Sequence, residues 1–502
     1  MFDIKPIAFY LPQFYATPYN DEWWGEGYTE WVAAKAANPL FKEHYQPQLP
    51  NPNDSYLNEY NQTELDTLEA QIKLAKAYGV HGFCHYYYWF GGRRVLEKPT
   101  DLMLANSSLD MPFCLCWANE NWSRRWDGQE SNILIAQDYN PETYEDFAKD
   151  LAPYFSDTRY ITANGKALFL IYRPDEVPDL PKLVKAIKAQ AKLCGHDGAM
   201  VLGAETFITP GRQEDPRPKG LDGAVEFPPH GLKTGMYYLR DAHNERESRI
   251  TNRRKRKAAM TFEGHVFDAF ESYTQSLERP VPDYPLFRSA FPAWDNTARR
   301  GTSATVFAGS SPELFSHWVR AISDWTRKYG SSSAPFIFIN AWNEWAEGAH
   351  LEPDHVYGTD YLTALREGLN STVSLSHPFN WDKNERRDVW IYREKTRPIL
   401  GCEAGLKDVA QRMKKAGLYA TTTPPYWLDL PDLSYLADPR RGPNMGPLPN
   451  AQKFKYLRAS LRRAQNWKEV KTALWQAFNH AHPQTPFEKF TTWVFRVVLN
   501  KG

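Results

Sequence analysis

Glu344 and Glu347 are the residues whose types and spacing best suit chemistry. They stand in Asn340-Ala341-Trp342-Asn343-Glu344-Trp345-Ala346-Glu347-Gly348-Ala349-His350-Leu351-Glu352. Carboxyls three residues apart fall on one side of a helical turn or tight loop, with roughly 5–6 Å between β-carbons. Retaining glycosidases work with carboxyl pairs about 5–5.5 Å apart. Trp342, Trp345 and His350 supply flat faces suited to sugar rings. The plainer reading is two solvated acids on the first turn of a helix, where negative charge is favoured. The indoles around the pair and the apolar run before it favour chemistry.

That run, Pro335-Phe336-Ile337-Phe338-Ile339, is the element that must position the pair. A short continuous apolar run reads as a buried strand. Polarity switches where it ends, and parallel barrels gather functional side chains at strand C-terminal ends. Strand candidates fall at 6–12, 79–90, 111–117, 167–172, 199–204, 223–227, 287–294 and 335–341. Helix-sized segments separate most of them. Residues 62–78 carry Leu65, Leu68, Ile72 and Ala75 at helical spacing, and 182–193 read as a basic helix. Eight such strands predict an α/β fold, a (β/α)8 TIM barrel over residues 1–370, with a polar, charged insertion at 230–283.

Polar and aromatic clusters follow the strands rather than precede them. The first strand leads to Tyr10, Gln13 and a long loop with Trp24 and Glu30. The second ends in Tyr86, Tyr87 and Trp89. The third runs into Asn119, Glu120 and Trp122. Glu205, Glu226 and Trp294-Asp295-Asn296 close the fifth, sixth and seventh, and Trp342, Asn343, Trp345 and His350 follow the eighth. These are the candidate substrate-binding residues, since amides, acids and indoles on one face suit a hydroxyl-rich ligand.

Composition narrows the classes. Lys+Arg and Asp+Glu are both 60, so no global field attracts nucleic acid, and the short run Asn252-Arg253-Arg254-Lys255-Arg256-Lys257 reads as a solvated face. Aromatics are 15% of the chain, more than a core needs. Cys114-x-Cys116 lacks zinc-site spacing. Gly25-x-Gly27 meets Glu30 where a dinucleotide fingerprint needs glycine. No metal and no cofactor are expected. The start lacks a signal peptide's features, no run of 18 apolar residues occurs, and Cys84, Cys114 and Cys116 read as buried thiols, so the expected location is the cytoplasm. Residues 371–502 hold 22 basic and 11 acidic side chains between proline-rich connectors. They read as a mainly helical, basic extension. It is either a solvated cap or a docking element for a partner protein or the inner-membrane surface.

Several stretches together resemble one family. They are Ala8-Phe9-Tyr10-Leu11-Pro12-Gln13-Phe14, Asp21-Glu22-Trp23-Trp24-Gly25, Phe83 to Phe90, Cys114-Leu115-Cys116-Trp117-Ala118-Asn119-Glu120-Asn121-Trp122, Trp294-Asp295-Asn296 and Trp342-Asn343-Glu344-Trp345-Ala346-Glu347. Over about residues 5–370 they look like the WbsX family of bacterial O-antigen and capsule loci. That family is similar to glycoside hydrolase family 99, the endo-α-mannosidases and endo-α-mannanases. The resemblance implies a carbohydrate-active enzyme acting on α-linked, mannose-like glycosides of cell-surface polysaccharides such as lipopolysaccharide. It implies retention through a 1,2-anhydro sugar, with Glu344 as base on the 2-hydroxyl and Glu347 as general acid/base. The alternatives are a nucleotide-sugar-dependent glycosyltransferase and a non-catalytic glycan-binding assembly protein. Against the first of these, the sequence has no D-x-D metal motif and no glycine-rich nucleotide loop.

Overall fold

The computed structural model describes residues 2–40, 44–51, 54, 56–124, 129–206, 214–232, 264–308 and 310–370. Eight positions around a barrel are filled by β1 (Lys5–Tyr10), β2 (Gly82–Phe90), β3 (Phe113–Trp117), β4 (Lys166–Ile171), β5 (Ala199–Glu205), β6 (Gly223–Glu226), β7 (Leu286–Phe287 with Ser289–Ala290) and β8 (Phe336–Ile339). Each pairs in parallel with its sequence neighbour, and β8 returns to β1 with Lys5 opposite Phe336. The strands are buried on both faces, as helix-covered parallel strands must be.

Strand β7 departs from the expected continuous run at 287–294. Leu286–Phe287 pairs with β6 and Ser289–Ala290 with β8, and the strand breaks at Arg288 between them. The break has an electrostatic cause. Arg288 is fully buried and gives Nε to Glu226 Oε2 at 2.8 Å, while Ser289 N donates to that same oxygen at 3.1 Å. A side-chain acceptor thus takes an N–H that a regular ladder would use.

The covering helices follow the apolar periodicity. The helix expected at 62–78 spans Leu65–Ala77 and buries Leu68, Ile72 and Ala75. The basic helix expected at 182–193 spans Leu180–Leu193. Helix Pro312–Tyr329 is capped by Ser311, whose Oγ accepts from Leu314 N at 3.2 Å, and its proline sits where no N–H is needed. It buries Leu314, Phe315, Trp318, Val319, Ile322 and Trp325 along one stripe, and each large side chain contributes about 1.5–3 kcal/mol.

Within the expected polar insertion at 230–283, residues 264–283 are partly core. His265–Asp268 pairs in parallel with Thr305–Ala308, and helix Ala269–Leu277 buries Tyr273 and Leu277. The basic run 252–257 and the extension 371–502 lie outside the described residues. Cys84, Cys114 and Cys116 are buried thiols. Among the described residues no helix is long and apolar enough to cross a membrane.

Candidate active site

The chain leaves β8 at Ile339 and is pinned at once. Asn340 Nδ2 donates to Pro228 O at 2.7 Å and Trp342 N to Phe9 O at 2.8 Å. Asn343 locks onto the end of β1: its Oδ1 accepts from Leu11 N at 2.8 Å and its Nδ2 donates to Leu11 O at 3.0 Å. Asn343–Glu344 then pairs antiparallel with Ala349–His350, and Trp345–Glu347 forms a single 3-10 turn. Gly348, at φ +60°, reverses the chain in a backbone conformation glycine adopts freely. The acids therefore sit on a tight, cross-braced loop. Glu347 O also accepts from Asp295 N at 2.7 Å.

Arg299, on the short helix Thr297–Arg300, joins the two carboxylates. Its Nη2 lies 2.8 Å from Glu344 Oε2 and its Nη1 2.6 Å from Glu347 Oε1. Glu30 approaches Nη2 at 3.3 Å from behind. Burial pushes the Glu347 carboxyl up to about 7, opposed by Arg299 and reinforced by Glu344 and Glu120. Burial also raises Glu344, opposed by Arg299 and reinforced by Glu30. Three carboxylates against one guanidinium favour a retained proton, since each uncompensated buried charge is costly. Glu347 is the most open of the three, with 21% of its side chain exposed.

The pair stands at the floor of a cleft of about 430 Å³ on the C-terminal face of the barrel. Tyr86, Tyr88 and Phe90 from β2 form one wall, with Trp122 stacked on Tyr88 at 5.8 Å and 15°. Tyr172, Phe227, Trp294 and Phe307 continue the lining, and Glu120, Asn296, Arg299 and Arg300 add polar groups. Flat faces beside a few convergent polar groups suit a sugar.

Of the residues singled out in the sequence, Glu344, Glu347, Tyr86, Glu120, Trp122, Trp294 and Asn296 line this cleft. The others sit elsewhere, for reasons that can be read individually. Tyr10, Tyr87 and Trp89 lie on the outward faces of their strands: Tyr10 OH donates to Gln71 Oε1 at 2.7 Å, Tyr87 OH donates to Asp150, and Trp89 packs on Phe147. Gln13 is buried, its carbonyl accepting from Glu30 N at 3.4 Å, and Trp24 stacks on Tyr28. Asn119 braces its loop through both backbone polar groups of Arg173. Asp295 accepts from His44 Nε2 at 2.6 Å and Gln46 Nε2 at 2.7 Å, which fixes the loop carrying Arg299. Trp342 is core, packed on Phe83. Trp345 stacks on His350 with centroids 3.8 Å apart, and its Nε1 donates to Glu352 Oε2 at 2.7 Å.

Glu205 and Glu226 line a separate hollow of about 190 Å³ that shares Phe227 and His230 with the cleft. Both carboxylates are engaged by arginines there: Arg279 Nη2 lies 2.7 Å from Glu205 Oε1, and Arg279 and Arg288 both reach Glu226.

Sequence reasoning missed Arg299, Tyr88 and Tyr172. Tyr88 was within reach, because alternation along β2 puts it on the same face as Tyr86. Among the described residues no group of three or more His, Cys, Asp or Glu side chains is arranged to hold a metal ion.

Fold and site together define a (β/α)8 barrel with an arginine-bridged acid pair at the floor of an aromatic cleft. A family model described as "Glycosyltransferase WbsX" matches residues 6–365, and the chain belongs to that family. Two proteins called "Uncharacterized protein WxcX", from two strains of Xanthomonas campestris pv. campestris, are each 36% identical over 370 residues, 74% of this chain and 50% of theirs. The chain thus spans about half the length of the curated relatives it matches. Among solved structures, a glycoside hydrolase family 99 endo-alpha-mannosidase from Bacteroides thetaiotaomicron, in complex with bis-tris-propane, aligns at 15% identity and a TM-score of 0.44, covering 74% of this chain and 98% of that one. A "Glycoside hydrolase-like protein" aligns at 13% identity and a TM-score of 0.45, covering 74% and 95%.

Proposed function

We propose that this chain cleaves or transfers α-linked, mannose-like glycosides in surface-polysaccharide metabolism, with retention through the substrate's own 2-hydroxyl. Glu344 takes the 2-hydroxyl proton, and that oxygen attacks the anomeric carbon. The glycosidic bond breaks as Glu347 protonates the leaving oxygen, which gives a 1,2-anhydro sugar. Glu347, now a carboxylate, next removes a proton from water or from an acceptor hydroxyl. The oxygen so activated adds to the anomeric carbon, the bond from O2 to that carbon breaks, and Glu344 returns the proton to O2.

The observation that carries this reading is the placement of both carboxylates on opposite nitrogens of one buried guanidinium, beneath aromatic walls. The acid needs a proton near neutral pH and the base must lack one. Burial raises both carboxyls, Glu347 to about 7, and Arg299 contacts each, so one proton between the two suits that division.

The description of the family favours a second reading, a nucleotide-sugar-dependent transferase. The charge of the cleft opposes it. Glu344 and Glu347 line the space, Glu30 lies close by, and both Nη atoms of Arg299 already face carboxylates; Glu120 is paired with Arg173, which leaves Arg300 as the further cation in the lining. A diphosphate there would meet like charge.

The deciding experiment incubates the protein with neutral α-linked oligosaccharides and, separately, with a panel of nucleotide sugars. Glycan cleavage or disproportionation without nucleotide release is expected. Nucleotide release dependent on an acceptor would replace the proposal with the second reading. Tight glycan binding with no product from either panel would reject catalysis.

A further inference from the structure

Glu30 is a buried carboxylate that the reaction above leaves unused. It opens the helix Glu30–Ala36 and has no exposed surface. The Arg299 guanidinium lies 3.3 Å from Oε1, and among the described residues no other donor is placed to bond either oxygen. Burying an ionised carboxylate is costly unless a cation stands beside it. Burial raises this carboxyl, and the Arg299 cation beside it is what favours the ionised form. The negative charge itself is what this position supplies.

We infer that Glu30 is a positioning residue for the acid pair: from behind the cleft it holds Arg299 by the same Nη2 that holds Glu344, and its charge keeps one proton resident on the Glu344–Glu347 pair. The inference rests on the acid and base roles proposed above.

The surroundings support the count of charges. Tyr28 precedes Glu30 on the same loop, and burial, reinforced by Glu30, raises its hydroxyl. Arg299 and Arg300 come from the short helix after β7, Glu344 and Glu347 from the loop after β8, Tyr86 and Tyr88 from β2, Glu120 from the loop after β3, and Tyr172 from the end of β4. Burial raises Tyr88 too, so the phenols stay neutral. With Glu30, Glu344 and Glu347 all ionised, the one guanidinium that contacts all three would offset a single negative charge. The proposed reaction assigns that proton to Glu347, whose carboxyl burial pushes up to about 7. Removing the charge of Glu30 returns Arg299 to the pair alone, and the proton is then held less tightly.

The test compares Glu30→Gln and Glu30→Asp with the parent protein by two readouts. One is the alkaline limb of the pH–rate profile. The other is an infrared titration of the protonated-carboxyl band that Glu347→Gln abolishes. In Glu30→Gln both midpoints should move to lower pH, by roughly one unit for one buried charge at such range. In Glu30→Asp, which keeps the charge on a shorter arm, both should stay while turnover falls. Unmoved midpoints in Glu30→Gln, or equal movement in both variants, would overturn the inference. Should Glu30→Gln fail to fold, a moved midpoint in Glu30→Asp does the same. If the parent turns over no glycan, the proposed function fails, yet the infrared midpoint still decides the role of Glu30.

Discussion

Replacing Arg299 with methionine should destabilise the protein in a way that deepens with pH. The side chain is 10% exposed and serves Glu30, Glu344 and Glu347 at 3.3, 2.8 and 2.6 Å. Breaking a buried ion pair by removing one partner costs about 3–5 kcal/mol. Here the stranded carboxyls can escape part of that cost by binding protons. Their folded pKa values, already raised, rise further above the unfolded value of about 4.3. A carboxyl raised in the folded state exacts no penalty below its unfolded pKa and loses stability as pH climbs through its folded value. Each pH unit inside that window costs about 1.4 kcal/mol per extra proton held by the folded state. The loss should therefore be about 1 kcal/mol near pH 5 and about 3–5 kcal/mol near pH 8. Urea unfolding followed by tryptophan fluorescence at both values measures it. A loss equal at the two pH values, or larger at pH 5, would refute the claim that these carboxylates depend on one shared cation.

Three further outcomes follow from the same geometry. Glu347→Gln should lower turnover about 10²–10⁴-fold while glycan affinity by calorimetry and the melting temperature stay near parent values; retained turnover would remove Glu347 from the acid role. In the parent, kcat/KM should fall as pH rises past about 7, where the Glu347 carboxyl loses its proton; activity still rising at pH 9 would contradict this. Trp122→Ala removes the ring stacked on Tyr88 and exposed to the cleft, and should raise KM about tenfold with little change in kcat; an effect on kcat alone would mean that the indole is structural.

The architecture was legible because buried strands and amphipathic helices leave a periodic trace. The Phe336–Ile339 run and the helix of Leu68, Ile72 and Ala75 fall where their patterns put them. The site was legible by region and less so by side chain. In β2, Tyr86, Tyr88 and Phe90 face the cleft while Tyr87 and Trp89 face the helices, a difference of strand parity alone. Composition gives the five consecutive aromatics Tyr86 to Phe90 no ranking; parity does. Arg299 left no such trace. It lies in Thr297-Ala298-Arg299-Arg300, an ordinary polar turn, and matters only because the barrel closes and brings the loops after β7 and β8 together. Glu205 and Glu226 show the converse. Their strand-end positions invited a ligand role, while Arg279 and Arg288, distant in sequence from both, engage them.

A shared guanidinium also suits the proposed chemistry in time. In the first step Glu344 gains the 2-hydroxyl proton while Glu347 gives its own to the leaving oxygen. The summed charge of the pair is the same before and after, although the charge has moved from one carboxyl to the other. Arg299 reaches Glu344 with Nη2 and Glu347 with Nη1, so it is within range of the charge at either end without moving. The second step reverses the exchange and restores the starting state. An environment that is already oriented for both ends of a proton exchange needs no reorganisation during it, which is the condition under which buried polar groups lower a barrier most. Two carboxyls with separate counter-ions would instead require one ion pair to strengthen as the other failed.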